Sequence, residues 1–151
     1  MIAPHAATDR IKVLMARTLP WAALSWLVNL AWEIAQLPLY AIWREESAAR
    51  IFYFVLHCTA GDALIATAAF LLTGAVLRNS AWVSSTPLRG GALATAFGLA
   101  YTIYSEWHNV YQAGAWAYSP AMPLVFGIGL SPLLQWLVIP GALVSILRRR
   151  L

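Results

Sequence analysis

Four long apolar stretches, separated by short segments that hold most of the charged residues, constrain this chain more than any other feature. They run over residues 19–43, 51–77, 90–111 and 124–147. A helix needs about 20 mostly apolar residues to cross the hydrocarbon core of a bilayer. The sequence therefore predicts an all-α integral membrane protein, in which residues 1–151 form a single domain built as a bundle of four transmembrane helices.

The composition excludes a soluble globular domain. Hydrophobic residues make up 61% of the chain and charged residues 11%, against roughly 25% charged residues in soluble domains. A globule of this length leaves roughly 30% of its unfolded surface in water, and this chain has too few polar residues to cover that surface. The single cysteine, Cys58, provides neither an intrachain disulfide nor a thiolate metal cage. The sequence predicts no metal, no cofactor and no nucleic-acid partner.

The basic residues lie mostly on one side of the four predicted spans. Eight of the ten precede the first span, follow the fourth, or lie between the second and the third. Only Arg44 and Arg50 lie on the opposite side. Because Lys and Arg concentrate in cytoplasmic segments, both the N and the C terminus are predicted to be cytoplasmic. The predicted location is the bacterial inner membrane.

Three acidic residues, Glu33, Asp62 and Glu106, lie inside the predicted spans. A charged side chain at the centre of a bilayer costs about 2.5–3.5 kcal/mol on insertion scales. Each acid therefore needs a partner, a cavity or a chemical role. No Lys or Arg lies inside a predicted span, so a buried salt bridge does not explain them.

Polar and aromatic side chains of the first span recur every three or four residues, at Trp26, Asn29, Glu33, Gln36 and Tyr40. This spacing places them on one helical face, which we expect to point into the bundle. The face is either a seam of hydrogen bonds between helices or the wall of a functional cavity. Pro38 favours the cavity, because a proline kinks a helix and frees a backbone carbonyl.

Helix rise places ionisable groups from three spans at nearly one level. At about 1.5 Å per residue, Glu33, His57 and Glu106 lie roughly 20–24 Å from the cytoplasmic side. We predict that they line one cavity in the outer half of the membrane as acid/base groups, although a lone His is also often a simple hydrogen-bond donor. Asp62 and Gln135 form a deeper second tier. The predicted substrate-binding residues are Asn29, Gln36, Asp62, Trp26, Tyr104, Gln135 and Trp136.

The connection between the third and fourth spans, residues 110–123, is rich in aromatic residues and carries no charge. It includes Trp116 and Tyr118. One interpretation is a belt of interfacial aromatic side chains. The other is a lid or re-entrant floor over a pocket.

Several short motifs within residues 19–147 are similar to those of a known membrane-protein family. They are the run NLAWE with Glu33, the run YTIYSE with Glu106, and a Trp-x-x-x-Pro-Gly pattern formed by Trp136, Pro140 and Gly141. In these features the chain resembles the EXPERA superfamily of emopamil-binding-protein-like membrane isomerases. The resemblance implies four core spans and carboxyl groups that protonate a ring double bond and remove a neighbouring proton, with Trp136 beside the cation.

The chain departs from that family pattern at three places. Asn29 stands where the family has a His, His57 or Cys58 where it has a Glu, and Leu133 where it has an Asn. The resemblance therefore implies a fold more than a sterol substrate.

Four functions are compatible with these features, and the least favoured is a haem or metal protein, which would need His57, His108 and a carboxylate to converge. The leading hypothesis is a membrane isomerase or cyclase that acts on an isoprenoid or polycyclic lipid, with Glu33, Glu106 and His57 transferring protons. The second is a protein that binds or transports a lipophilic small molecule such as an amine or a sterol-like ligand. The third is an accessory subunit of a larger membrane complex. Membrane lipid and a lipophilic small molecule are the predicted partners, and a homodimer is one option for assembly.

Overall fold

The computed structural model describes residues 4–151, most of which are helical. Among them, a 3-10 turn (Leu37–Leu39) follows the first helix and a π-helical turn (His108–Gln112) follows the fifth. The helices are α1 (Pro4–Gln36), α2 (Ile42–Glu45), α3 (Ala48–Val76), α4 (Trp82–Ser85), α5 (Pro87–Trp107) and α6 (Leu130–Leu147). A small antiparallel hairpin, β1 (Leu124–Val125) with β2 (Ile128–Gly129), precedes α6.

The four long helices pack in a ring. Helix α1 contacts α3 and α6, and α5 contacts the same two helices from the other side. One end of the ring is closed by an aromatic cluster of Trp21, Phe70 and Trp82, whose ring centroids lie 5.2–5.5 Å apart. Both indoles in the cluster donate to backbone carbonyls, Trp21 to Ala66 at 3.0 Å and Trp82 to Phe70 at 3.2 Å. This end of the bundle is thus a packed core, and a cavity lies toward the other end.

Three of the described helices are long and apolar enough to cross a membrane: Ile11–Leu39, Ala48–Val76 and Leu130–Leu147. Large apolar side chains cover their outer surfaces, as at Leu27 and Leu64, which are 63% and 71% exposed. Helix α5 is 21 residues long but contains Gly, Thr, Ser and Glu among its apolar residues, and it is not among the three. The predicted membrane character of the chain is therefore confirmed for three helices.

The first and last predicted spans have different boundaries in the structure. Helix α1 ends at Gln36 rather than continuing to Trp43. Pro38 lacks the backbone N–H that a continuing helix needs and disfavours helical geometry in the residue before it. The proline thus ends the helix instead of kinking it, and the chain turns toward α3 directly above Glu33 and Gln36.

Helix α6 begins at Leu130 rather than at Leu124 because a tight turn precedes it. Phe126 and Gly127 have φ values of 50° and 83°, the pair of positive values that a type I′ hairpin turn requires. The apolar run predicted as one helix therefore includes a hairpin with the fully exposed Phe126 at its tip.

Two glycines of α5 allow tryptophans to pack directly on the helix backbone. A Cβ on Gly98 would overlap the indole of Trp136, and one on Gly90 would overlap the indole of Trp82. Both indoles are almost completely buried. These glycines let α5 approach α6 and α4 more closely than any other residue would allow.

We expect Gly98→Ala and Gly90→Ala each to destabilise the protein by about 1–3 kcal/mol, the usual cost of overpacking a buried site. Gly141→Ala is the matched control, since a Cβ there meets nothing within 4 Å. Thermal unfolding in detergent compares the three variants. Equal stability of Gly98→Ala and Gly141→Ala would show that Trp136 is not held as the structure places it.

Candidate functional site

A cavity of about 230 Å³ lies among the four long helices, toward the end away from the aromatic cluster. Glu33, His57 and Glu106 all contribute to its wall. The remaining lining residues are Gln36, Tyr40, Phe54, Cys58, Gly61, Asp62, Ile65, Tyr101, Thr102, Ser105, Asn109, Trp116, Pro132, Gln135 and Trp136. The structure thus brings together the ionisable groups of three helices that sequence spacing placed at one level.

Most of the predicted binding residues lie at this cavity. Gln36, Asp62, Gln135 and Trp136 line it. Asn29 does not line it but lies fully buried beneath it, where its amide donates to the backbone carbonyl and hydroxyl of Ser25 at 2.9 and 3.0 Å. Asn29 therefore supports the cavity floor.

Two predicted binding residues, Trp26 and Tyr104, lie outside the cavity. Their side chains are 37% and 57% exposed on the outer surface. Trp26 lies about 60° round α1 from Asn29, on the side opposite the buried Ser25. Tyr104 is two residues from both Thr102 and Glu106, which places it about 200° round α5 from the cavity. Tyr101, on the correct face, lines the cavity instead.

Gln135 of α6 links the polar groups of three helices. Its Nε2 donates at 2.8 Å to Oδ1 of Asn29 and at 2.8 Å to Oδ2 of Asp62, and it lies 3.5 Å from Oε1 of Glu33. A second amide, on Gln36, donates to Oε1 of Glu33 at 2.7 Å. The two tiers predicted from helix rise are therefore one hydrogen-bonded network.

The carboxyl groups of Glu33 and Asp62 meet at the Gln135 amide, whose Nε2 lies 3.5 Å from Oε1 of Glu33 and 2.8 Å from Oδ2 of Asp62. Among the described residues that line the cavity, no Lys or Arg is present. Helices α1 and α3 thus bring two acidic groups together without a cation beside them, and we call these two groups the Glu33–Asp62 pair.

Glu106 lies in a different environment, facing hydrogen-bond donors. The phenol of Tyr118 donates to Oε2 of Glu106 at 2.6 Å and accepts from the backbone N–H of Gly129 at 2.9 Å. The Tyr40 phenol and the Trp116 indole also face the carboxyl, although Nε1 of Trp116 forms no well-aligned hydrogen bond. Glu106 is thus arranged as a hydrogen-bond acceptor.

The connection after α5 closes the end of the cavity that lies away from the aromatic cluster. Its backbone pairs with the segment after α1, with Ala41 N donating to Ala117 O and Ser119 N to Leu39 O, both at 2.9 Å. This pairing places Trp116 in the cavity wall. Of the two interpretations of this aromatic segment, the structure favours a lid.

His57 lies at the edge of the cavity. Its side chain is exposed, and its ring stacks on Tyr53 with centroids 5.8 Å apart. It makes cavity contact without joining the carboxyl network. His57 therefore lies at the rim of the cavity.

The most important residue that sequence reasoning missed as a site residue is Tyr118. Tyr118 lies in a connection without helical periodicity, so its spacing from Glu106 in the sequence could not predict the contact between them. The only available signal was the accumulation of aromatic residues without charge in residues 110–123, which did not single out one tyrosine.

No protein-family model matches the sequence, and neither a curated protein nor a solved structure matches the chain. Among the described residues, no group of three or more His, Cys, Asp or Glu side chains is placed to hold a metal ion. What the protein does is therefore inferred from the geometry of the cavity.

We expect the stability of the protein to fall above pH 10 in a way that depends on Tyr118. Burial, followed by the hydrogen bond to Glu106, raises the pKa of this phenol above its ordinary value, which is about 10. A group whose pKa is raised on folding stabilises the fold below its unfolded pKa and loses that effect as the pH rises. Melting temperatures at about pH 9 and about pH 11 should differ less in Tyr118→Phe than in the wild type. An identical pH dependence in both proteins would contradict the contact.

Proposed function

We propose that this chain is a membrane-embedded enzyme that rearranges a double bond, or closes a ring, in a lipophilic substrate by acid/base proton transfer. The observation that carries the proposal is the contrast between two acidic sites on one cavity. Glu33 and Asp62 meet at the Gln135 amide with no cation among the lining residues, and in our proposal they share one proton, whereas Glu106 accepts a hydrogen bond from Tyr118. Carboxyl groups held in different protonation states are typical of acid/base pairs in enzymes.

In the proposed reaction, the Glu33–Asp62 pair gives its proton to one carbon of a substrate double bond. The electron pair of that bond forms the new C–H bond, leaving a carbocation on the neighbouring carbon. The face of the Trp136 indole can stabilise this positive charge. Glu106 then removes a proton from an adjacent carbon, and the electrons of that C–H bond form the new double bond. His57 is the proposed carrier that passes the proton from Glu106 back to the Glu33–Asp62 pair. One C–H bond is thus formed and one broken, both acidic sites are restored, and no oxidant or reductant is consumed.

We further propose that α5 completes a four-span topology with both termini in the cytoplasm. The distribution of the ten basic residues, eight against two, supports this orientation. Ala115 is exposed in the connection after α5 and reports on it directly. In a Cys58→Ser background, a cysteine introduced by Ala115→Cys should react with an impermeant maleimide added from outside. Labelling from the cytoplasmic side alone would reverse the orientation.

A second function, binding of a lipophilic amine, is favoured by the same acids together with the rings around them. Tyr40, Phe54, Trp116 and Trp136 line the cavity, and aromatic faces beside carboxylates attract organic cations. An amine bound there would pair with Glu106. In this case the protein would retain a cation and leave it chemically unchanged.

Native mass spectrometry of the purified protein tests the proposal that the cavity holds a lipophilic molecule. We expect a retained lipid or lipid-like compound of defined mass. Retention of an amine would favour the binding function over the enzyme. A protein that carries no small molecule and copurifies with a large membrane partner would contradict both and indicate an accessory subunit.

A further inference from the structure

The cavity is closed on two sides and open on one. The lining residues contributed by α1 and α6 are all buried: Glu33, Gln36, Pro132, Gln135 and Trp136. By contrast, two lining residues are exposed: His57 of α3, and Tyr101 of α5, whose side chain is 50% exposed. A residue that lines a cavity and is also exposed lies at its mouth, so the mouth lies between α3 and α5.

Small side chains keep this mouth open. Gly61 lies one turn from His57 on α3, and Ser105 lies one turn from Tyr101 on α5, and both line the cavity. A Cβ on Gly61 would meet nothing within 4 Å. We call the gap bounded by His57, Gly61, Tyr101 and Ser105 the side opening.

The lid makes the side opening the free route into the cavity. The segments around Tyr40 and Tyr118 are joined by backbone pairing, and the Ser119 hydroxyl donates to Pro38 O at 3.1 Å. These contacts cover the outer end of the bundle. Both helices that border the side opening expose large side chains beside it, Leu64 on α3 and Tyr104 on α5, each three residues along its helix from a residue that borders the opening, so the opening faces lipid.

The size of the cavity restricts what can enter. Sites that enclose a drug-sized ligand have volumes of about 300–1,000 Å³, and this cavity has about 230 Å³. A larger lipid can therefore place only one end inside, with the remainder passing through the side opening. We infer that the substrate is an elongated, chain-like lipid whose reacting end lies between the Glu33–Asp62 pair and Glu106 while its tail extends past Gly61 into the bilayer.

This inference rests on the lipid-binding part of the proposed function. It decides between the two substrate classes considered, an isoprenoid lipid and a polycyclic lipid. An isoprenoid chain has the required shape. A rigid polycycle, which would have to be enclosed as a whole, does not.

Lipid retention from nanodiscs tests the inference, with squalene as the elongated probe and cholestane as the compact polycyclic probe. We expect native mass spectrometry to show at least tenfold more squalene than cholestane on the wild-type protein. Gly61→Phe should lower squalene retention at least tenfold by filling the side opening. Gly141→Phe is the matched control, because Gly141 also has nothing within 4 Å of a Cβ but does not line the cavity, and it should retain squalene normally.

Thermal unfolding separates blockage from misfolding, since a side chain at position 61 meets open space and Gly61→Phe should melt close to the wild-type temperature. Equal retention of squalene and cholestane by the wild type would overturn the chain-like substrate. Normal squalene retention by Gly61→Phe would overturn the route between α3 and α5. In both of these outcomes the cavity still binds lipid and the proposed function survives. Retention of neither probe by the wild type would overturn the proposed function together with the inference.

Discussion

Glu33→Gln should leave the protein folded and loaded with lipid, yet slow its reaction by about 100-fold or more, the usual effect of losing a general acid or base. In the proposed mechanism, Glu33 and Asp62 share one proton. A glutamine amide at position 33 can still donate to the Asp62 carboxylate, and its oxygen can still accept from Gln36 Nε2, now 2.7 Å from Glu33 Oε1. The substitution thus preserves the charge and the hydrogen bonds of the pair and removes only the transferable proton.

The matched control is Glu45→Gln, the same chemical change on an exposed carboxyl of α2. It should react at the wild-type rate. Incubation in heavy water, with the deuterium that enters the copurified lipid followed by mass spectrometry, measures both variants. If Glu33→Gln also reacts at the wild-type rate, the carboxyl has only a structural role, and a binding function becomes the better account.

The second large effect is expected from Gln135→Leu, which removes the amide that links three helices. Asn29 Oδ1 and Asp62 Oδ2 each lose a donor at 2.8 Å, and Gln135 itself is only 2% exposed. A buried polar group left without its partner costs about 1–3 kcal/mol. The expected loss of stability exceeds the average of about 0.6 kcal/mol for a membrane hydrogen bond, because leucine cannot replace the lost donor at either acceptor.

Gln112→Leu provides the comparison on the outer surface. Its amide oxygen lies 3.0 Å from Nδ1 of the exposed His108, where water can replace the contact, and surface substitutions usually change stability by less than about 0.5 kcal/mol. Chemical unfolding in mixed micelles should rank Gln135→Leu well below Gln112→Leu. Equal stability of the two variants would mean that the buried network contributes little to the fold.

Helical spacing was enough to predict the polar face of α1. Glu33 and Gln36 both line the cavity as predicted from their positions, because a helix repeats every 3.6 residues whatever surrounds it. The same periodicity wrongly placed Trp26 at the cavity. Trp26 lies at the edge of the polar face, where a helix rotation of less than about 100°, the angle between successive residues, decides whether a side chain faces the cavity or the outer surface. Packing of α1 against α3, which is not encoded in the spacing, sets that rotation.

The depth of a residue along its helix was predicted less well than the direction of its side chain. The predicted depth of Glu33, which placed it above Asp62, was counted from Leu19 as the start of the first helix. Helix α1 begins at Pro4, so Leu19 marks no physical boundary from which to count. The contact between Tyr118 and Glu106 had no sequence signal, because it depends on a lid held by backbone pairing between two connections.

Exchange of substrate protons with solvent tests the central claim most directly. The wild-type protein with its copurified lipid is incubated in heavy water, and the lipid is then extracted and analysed by mass spectrometry. Proton delivery from the Glu33–Asp62 pair to carbon predicts a lipid that gains deuterium in a carbon-bound position, at a rate that falls at least 100-fold in Glu33→Gln. A retained lipid that acquires no carbon-bound deuterium in the wild type would contradict proton transfer in this cavity.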